Sequence, residues 1–150
     1  MRQNLTNLLE KMNVVKSIYK HALNKIHGDA MKNDLRSLYE NKVQIYNELN
    51  LLFNVKEDVS INIFKQAKLT IEKAQMEIDD ILIRFNQHDI LFHCLKVEKE
   101  LIETYNTVLN DQEFSESEKE HIKSLKNDSV AIVERLDKTI ADYKKTYQKS

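Results

Sequence analysis

Apolar side chains recur three and four residues apart along most of this chain. That spacing places them on one face of a helix. It predicts five helices, the first two over residues 4–27 and about 33–53. A loop over residues 55–59, a break over 86–89 and a connection over 110–114 separate the remaining three. The predicted inward lines run from Leu5 to Ile26, from Leu35 to Leu52, from Phe64 to Phe85, from Leu91 to Val108 and from Ile122 to Tyr147. Helices of this length with short connections indicate a bundle.

Residues at the helix ends support these boundaries. Gly28 directly follows the first helix and is typical of a helix C-terminus. Ser60 is placed to cap the third helix. Ser115 and Glu118 have the spacing of a capping box, in which each side chain accepts from the other residue's backbone N–H. We expect the fifth helix to fray near its polar end.

Composition points to the same fold class. The 150 residues include one Gly and no Pro, whereas sheet proteins rely on both residues for turns. We therefore predict an all-α protein with a single domain over residues 1–150, a length that suits one core.

Charge balance and the lack of long apolar stretches argue against nucleic-acid and membrane partners. The 23 Lys and Arg residues nearly balance the 24 Asp and Glu residues, and no segment is a cationic block, so we expect no nucleic-acid binding. No stretch approaches the roughly 20 apolar residues of a membrane span, and we expect no membrane partner. The N-terminus lacks the apolar core of a signal peptide, and the single Cys94 forms no internal disulfide. We predict a cytoplasmic protein.

The sequence does not contain the residue patterns of the common catalytic sites. One glycine is too few for a phosphate-binding loop. Cys94 and His93 are adjacent, and adjacent helical residues point apart. Glu118 and His121 lie in the first turn of a helix, where acidic residues serve capping. We predict no enzyme, no metal and no cofactor.

Two charged residues, Lys42 and Glu98, interrupt otherwise apolar helix faces. A lysine at the margin of such a face packs its stem and keeps its charge in water. Glutamate is shorter and does this less easily. If Glu98 points into the bundle, its carboxylate requires a cation, a hydrogen-bond donor or a proton.

The chain resembles a bacterial family of small ferritin-like bundles defined as a domain of unknown function. The residues that carry the resemblance are mostly core positions in four helices: Leu8, Leu9, Glu10, Lys11, Tyr19 and Ala22; Leu35, Leu38, Tyr39, Glu40, Glu48 and Leu49; Asp89, Ile90, Leu91, Glu98 and Tyr105; Val133 and Leu136. The resemblance implies a ferritin-like four-helix bundle with an additional crossover helix, which is the third segment.

Ferritin-like proteins hold two metal ions with four carboxylates and two histidines. In this chain the matching positions are Lys16, Glu40, Val43, Glu98, Asn127 and Val130. The resemblance therefore implies a degenerate di-metal site. We predict a buried polar cluster in which the Lys16 ammonium replaces the metal and neutralises Glu40, Glu98 or both. Alternatively, Lys16 reaches solvent.

Three functions follow from these observations. The first is a non-catalytic ferritin-like bundle with a structural or regulatory role, exerted through a homo-oligomer or another protein partner. Candidate residues for such an association surface are Leu9, Ile18, Leu23, Leu51 and Phe92. Alternatively, these residues only widen the core-facing sides of their helices. The second is a di-iron-like storage or oxidase-type protein with a non-standard site. The third is a sensor or adaptor that binds a partner helix or a small apolar ligand.

Overall fold

The computed structural model describes residues 2–148, with side chains through residue 145. In that range the chain is helical and contains no strand, which confirms the all-α prediction. The helices are α1 (Gln3–Lys25), α2 (Asp29–Leu52), α3 (Glu57–Arg84), α4 (Ile90–Leu109) and α5 (Glu116–Gln148), and a 3-10 turn (Gln87–Asp89) precedes α4.

The contacts divide the chain into two compact units, Met1–Asp80 and Ile81–Ser150. The first unit contains α1, α2 and most of α3, and the second contains α4 and α5. The single domain over residues 1–150 stays a prediction.

In the first unit, α1 packs against α2. The two helices run antiparallel, since the Arg2 guanidinium lies 5.2 Å from the centroid of the Phe53 ring. The connection between them turns at Gly28, whose φ of 96° is a conformation that favours glycine. Every predicted apolar position of α1 is buried: Leu5, Leu8, Met12, Val15, Tyr19, Ala22 and Ile26.

Two side-chain contacts tie α3 to the other helices of this unit. The Tyr46 hydroxyl of α2 lies 2.6 Å from Ser60 Oγ, and His21 Nε2 of α1 lies 2.8 Å from Asp79 Oδ1. The prediction that Ser60 caps α3 was wrong, because α3 begins three residues earlier at Glu57. Glu57 and Asp58 fill its first turn instead, where carboxylates complement the helix dipole.

The buried face of α3 is narrower than its apolar pattern predicts. The buried residues are Ile63, Ala67, Ile71, Ala74 and Ile78. Phe64 and Phe85, which the spacing placed on this face, are exposed. Phe64 lies at the edge of the buried line, and Phe85 follows the end of α3.

In the second unit, α4 packs against α5. The connection between these two helices contains the buried residue Phe114. The capping box is confirmed: Ser115 N donates to Glu118 Oε1 at 2.8 Å, and Glu118 N donates to Ser115 Oγ at 3.1 Å. The predicted inward line of α4 is also confirmed, since all of its members are buried: Leu91, Cys94, Glu98, Leu101, Tyr105 and Val108.

The predicted inward line of α5 is buried at Ile122, Leu125, Ser129, Ile132, Leu136 and Ile140. Its next member, Tyr143, is half-buried, and its last, Tyr147, lies outside the residues whose side chains are described. The predicted fraying concerns the end of this helix, and residues 149 and 150 lie outside the described residues. Among the described helices, none combines the length and the apolar character that crossing a membrane requires.

Candidate functional site

Glu40 does not belong to a buried cluster. Its side chain is exposed on α2. The buried residues of this helix are Met31, Leu35, Leu38, Lys42, Ile45 and Leu49, and at 3.6 residues per turn Glu40 points half a turn away from them. The prediction of a buried carboxylate at this position was therefore wrong.

Lys16 is partly buried, and its ammonium rests on an aromatic ring rather than on Glu40. Its Nζ lies 3.7 Å from the centroid of the Tyr46 ring. Burial lowers the pKa of Lys16 from its usual value, and the Lys20 charge lowers it further, whereas the Tyr46 side chain opposes the shift. Cation–π attraction to the Tyr46 ring therefore stabilises the Lys16 ammonium, which has lost part of its contact with water. Any pairing of Lys16 with Glu98 stays a prediction.

Glu98 and Lys42 are both fully buried, so Lys42 does not lie at the margin of its apolar face with its charge in water. The Lys42 ammonium donates to Asn41 Oδ1 at 3.0 Å. Ionic groups remain buried only where other groups compensate the loss of water. These two side chains are accordingly the costliest groups to desolvate in their respective units.

The positions matched to the last pair of metal ligands face away from the core. Asn127 and Val130 are exposed on α5, next to buried Ser129. At Val43 of α2 the side chain is partly buried. Among the described residues, no group of three or more His, Cys, Asp or Glu side chains is arranged to hold a metal ion.

Cys94 is a buried core residue. Burial raises the pKa of its thiol, and the nearby Glu98 carboxylate raises it further. The thiolate is the reactive form of cysteine, so the native thiol is a poor nucleophile.

The residues expected to form an association surface fall into different environments. Leu9 and Ile18 are buried in the first unit, so these two residues widen the core-facing side of α1 and do not form an association surface. Leu51 is 82% exposed at the end of α2, and Phe92 is exposed on α4. Leu23 is partly buried.

An outward-facing line of exposed apolar residues lies on α3, where the sequence pattern had not placed it. Leu69 is 63% exposed and Met76 is 68% exposed. These residues are seven positions apart and lie about half a turn away from the buried line of α3. The sequence contains this second line of apolar residues, but the buried side of the same helix carries more apolar residues and therefore dominates the spacing pattern.

The second unit contains a pocket of about 270 Å³ between the start of α4 and the end of α5. Its lining residues are Asn86, His88, Asp89, Leu91, Phe92, Ile140, Tyr143 and Lys144. The rings of His88 and Tyr143 have centroids 4.1 Å apart. Lys144 Nζ lies 5.0 Å from the centroid of the Phe92 ring. The pocket therefore combines three aromatic rings with one ammonium.

Local hydrogen bonds fix the turn at one side of this pocket. Asn86 Oδ1 accepts from the His88 backbone N–H, and Asp89 Oδ2 accepts from the Asn86 backbone N–H, both at 3.0 Å. The His88 ring contributes a further contact of 2.8 Å between Nδ1 and Asn86 Oδ1. The Asp89 carboxylate thus accepts a backbone hydrogen bond within the turn.

Comparison of this chain with protein families, with curated proteins and with solved structures finds no match.

Proposed function

We propose that this protein is a non-catalytic helical protein that acts by association, and that a second copy of the chain binds the outer face of α3. We define this face as Lys65, Leu69, Met76 and Asp80. The observation that carries the proposal is the exposure of Leu69 and Met76 on the side of α3 opposite its buried line. Exposed apolar residues that share one helix face can serve as an interaction site.

The charges beside this apolar pair suit an antiparallel partner of the same sequence. Lys65 and Asp80 are equally distant from the midpoint between Leu69 and Met76, and both lie within about 30° of the line through that pair. When two copies of α3 run antiparallel about this midpoint, Lys65 of each copy is level with Asp80 of the other. Leu69 of each copy is then level with Met76 of the other.

A parallel arrangement is less favourable. It would set Lys65 beside Lys65 and Asp80 beside Asp80, and like charges at such positions repel. At the centre of the antiparallel pair, Glu72 and Lys73 flank the apolar line on its two sides. The two copies therefore place two glutamates and two lysines at the centre of the interface, where opposite charges can pair. Self-complementarity of this kind is what a two-fold interface requires.

The interface rests on one helix, and small interfaces are weak or transient. We therefore expect a dimer that dissociates on dilution. Sedimentation velocity over a hundredfold range of protein concentration measures this equilibrium. Leu69→Ser should shift it strongly towards monomer, whereas Leu51→Ser, a change at an exposed leucine of α2, should leave it unchanged.

A charge reversal tests the antiparallel arrangement itself. Lys65→Asp and Asp80→Lys should each weaken the dimer, because each leaves like charges level with one another. The double variant restores opposite charges and should recover most of the association. A wild-type protein that stays monomeric throughout, or a double variant weaker than both single variants, would contradict the proposal.

The ferritin-like arrangement, with α3 as the crossover helix, stays part of this proposal. Two features support it: the 28-residue length of α3, which spans about 42 Å, and its single narrow buried line. A cytoplasmic location is likewise proposed, on the single buried thiol. An experimental structure and localisation of the tagged protein test these two points.

A further inference from the structure

We infer that the pocket between the start of α4 and the end of α5 is a binding site for a small aromatic anion, such as an aromatic carboxylate of one or two rings. This site is separate from the outer face of α3, and the inference does not depend on self-association. Its basis is the juxtaposition of an aromatic lining with one ammonium, that of Lys144.

The size of the pocket limits the ligand. Sites for drug-sized molecules have volumes of about 300–1,000 Å³, and this pocket, at about 270 Å³, lies just below that range. It therefore suits one or two fused rings with a small substituent. Its walls offer aliphatic contacts from Leu91 and Ile140 and ring contacts from Phe92 and Tyr143. Aromatic rings pack favourably against one another in offset or tilted geometry.

The charges at the pocket determine which ring substituent is favoured. The Lys144 ammonium is held over the Phe92 ring rather than in an ion pair with a carboxylate of the described residues. The carboxylate at the pocket, that of Asp89, accepts a backbone N–H of its own turn. An incoming anion can thus pair with Lys144 while its ring contacts the aromatic lining. A ligand cation would instead compete with Lys144 for the Phe92 ring.

The test uses three naphthalene probes that share one ring system and differ in charge. These are 2-naphthoate, an anion, 2-naphthamide, which is neutral, and 2-naphthylmethylammonium, a cation. The chain has Tyr but no Trp, so naphthalene fluorescence can be excited at wavelengths beyond the tyrosine absorption band with little background from the protein. We expect submillimolar binding of 2-naphthoate, about tenfold tighter than that of 2-naphthamide, which corresponds to about 1.4 kcal/mol.

Two lysines on the same helix provide the matched variants. Lys144→Gln should weaken 2-naphthoate about tenfold and leave 2-naphthamide unchanged within about twofold. Lys145→Gln, at the exposed residue that follows it, should change neither affinity. Phe92→Ala should weaken both probes, because it removes a ring that contacts either ligand. Circular dichroism of each variant confirms that it is folded.

Several outcomes would overturn the inference. They are no binding of 2-naphthoate at millimolar concentration, equal affinity for the anionic and neutral probes, tighter binding of the cationic probe, and equal losses from Lys144→Gln and Lys145→Gln. Tighter binding of the cation would show that Asp89 and the rings recognise positive charge instead.

Discussion

The Lys16 ammonium of α1 lies over the Tyr46 ring of α2, 3.7 Å from its centroid. The hydroxyl of the same tyrosine lies 2.6 Å from Ser60 Oγ of α3. One aromatic side chain therefore links the three helices of the first unit by two different interactions. The ring holds a cation that the sequence alone would assign to a carboxylate, and the hydroxyl fixes the start of α3.

Removing the Tyr46 hydroxyl should destabilise the first unit. Tyr46→Phe keeps the ring under Lys16 but leaves Ser60 without this hydrogen bond, and a typical intramolecular hydrogen bond contributes about 1 kcal/mol. Urea unfolding followed by circular dichroism measures the change. Ser60→Ala should cost a similar amount, and the double variant should cost little more than either single change because both remove one bond. Fully additive losses would show that the two groups act separately.

Replacing Lys16 should reveal the cost of its partial burial. Because burial lowers the pKa of Lys16 in the folded state, the unfolded chain binds more protons between the folded pKa and the ordinary value of 10.5. Stability due to this group therefore increases with pH in that window. We expect Lys16→Met to be more stable than the wild type at pH 7, with the difference shrinking as pH rises towards 10.5.

Thermal unfolding of both proteins between pH 7 and pH 10.5 measures this difference. Lys25→Met, at an exposed lysine at the end of α1, is the control and should show a smaller difference at pH 7. A difference between Lys16→Met and the wild type that stays constant with pH would contradict the assignment to the Lys16 charge.

Glu98→Ala should be among the most destabilising single changes in the second unit. The side chain is fully buried, and truncating a buried side chain of this size to alanine leaves a cavity that costs about 2–5 kcal/mol. Denaturant unfolding measures it. Glu103→Ala, at an exposed glutamate of the same helix, should change stability by less than about 0.5 kcal/mol.

The same variant decides between a degenerate and a working metal site. We expect neither the wild type nor Glu98→Ala to bind iron stoichiometrically in a titration followed by elemental analysis. Stoichiometric iron in the wild type that is lost in Glu98→Ala would refute the degenerate-site prediction and require a non-standard metal centre.

Cys94 should be protected from thiol reagents in the native protein. Burial raises the pKa of this thiol, and its exposed fraction is zero, so both ionisation and access are restricted. Reaction with a disulfide reagent at pH 8 should be slow and should accelerate to the rate of an unfolded cysteine in concentrated urea. Rapid reaction without denaturant would show that the second unit opens readily.

Spacing along the chain was sufficient to determine the helices and most of their inward faces. The lines of α1 and α4 agree with the structure at every residue, because these helices carry an uninterrupted apolar repeat and bury it along their whole length. The capping box at Ser115 and Glu118 is also a local property, since it joins groups three residues apart. Such features depend on helical geometry, which the sequence itself encodes.

The candidate sites depended on tertiary structure. Spacing gave no reason to place Lys16 on the Tyr46 ring, because the two residues lie on different helices. The resemblance to ferritin-like bundles placed Glu40 inside, although burial of the apolar residues of α2 turns this side chain outward. The pocket at Lys144 likewise requires the end of α5 to meet the start of α4. Local sequence determines which face of a helix is apolar, but only packing decides what each polar side chain meets.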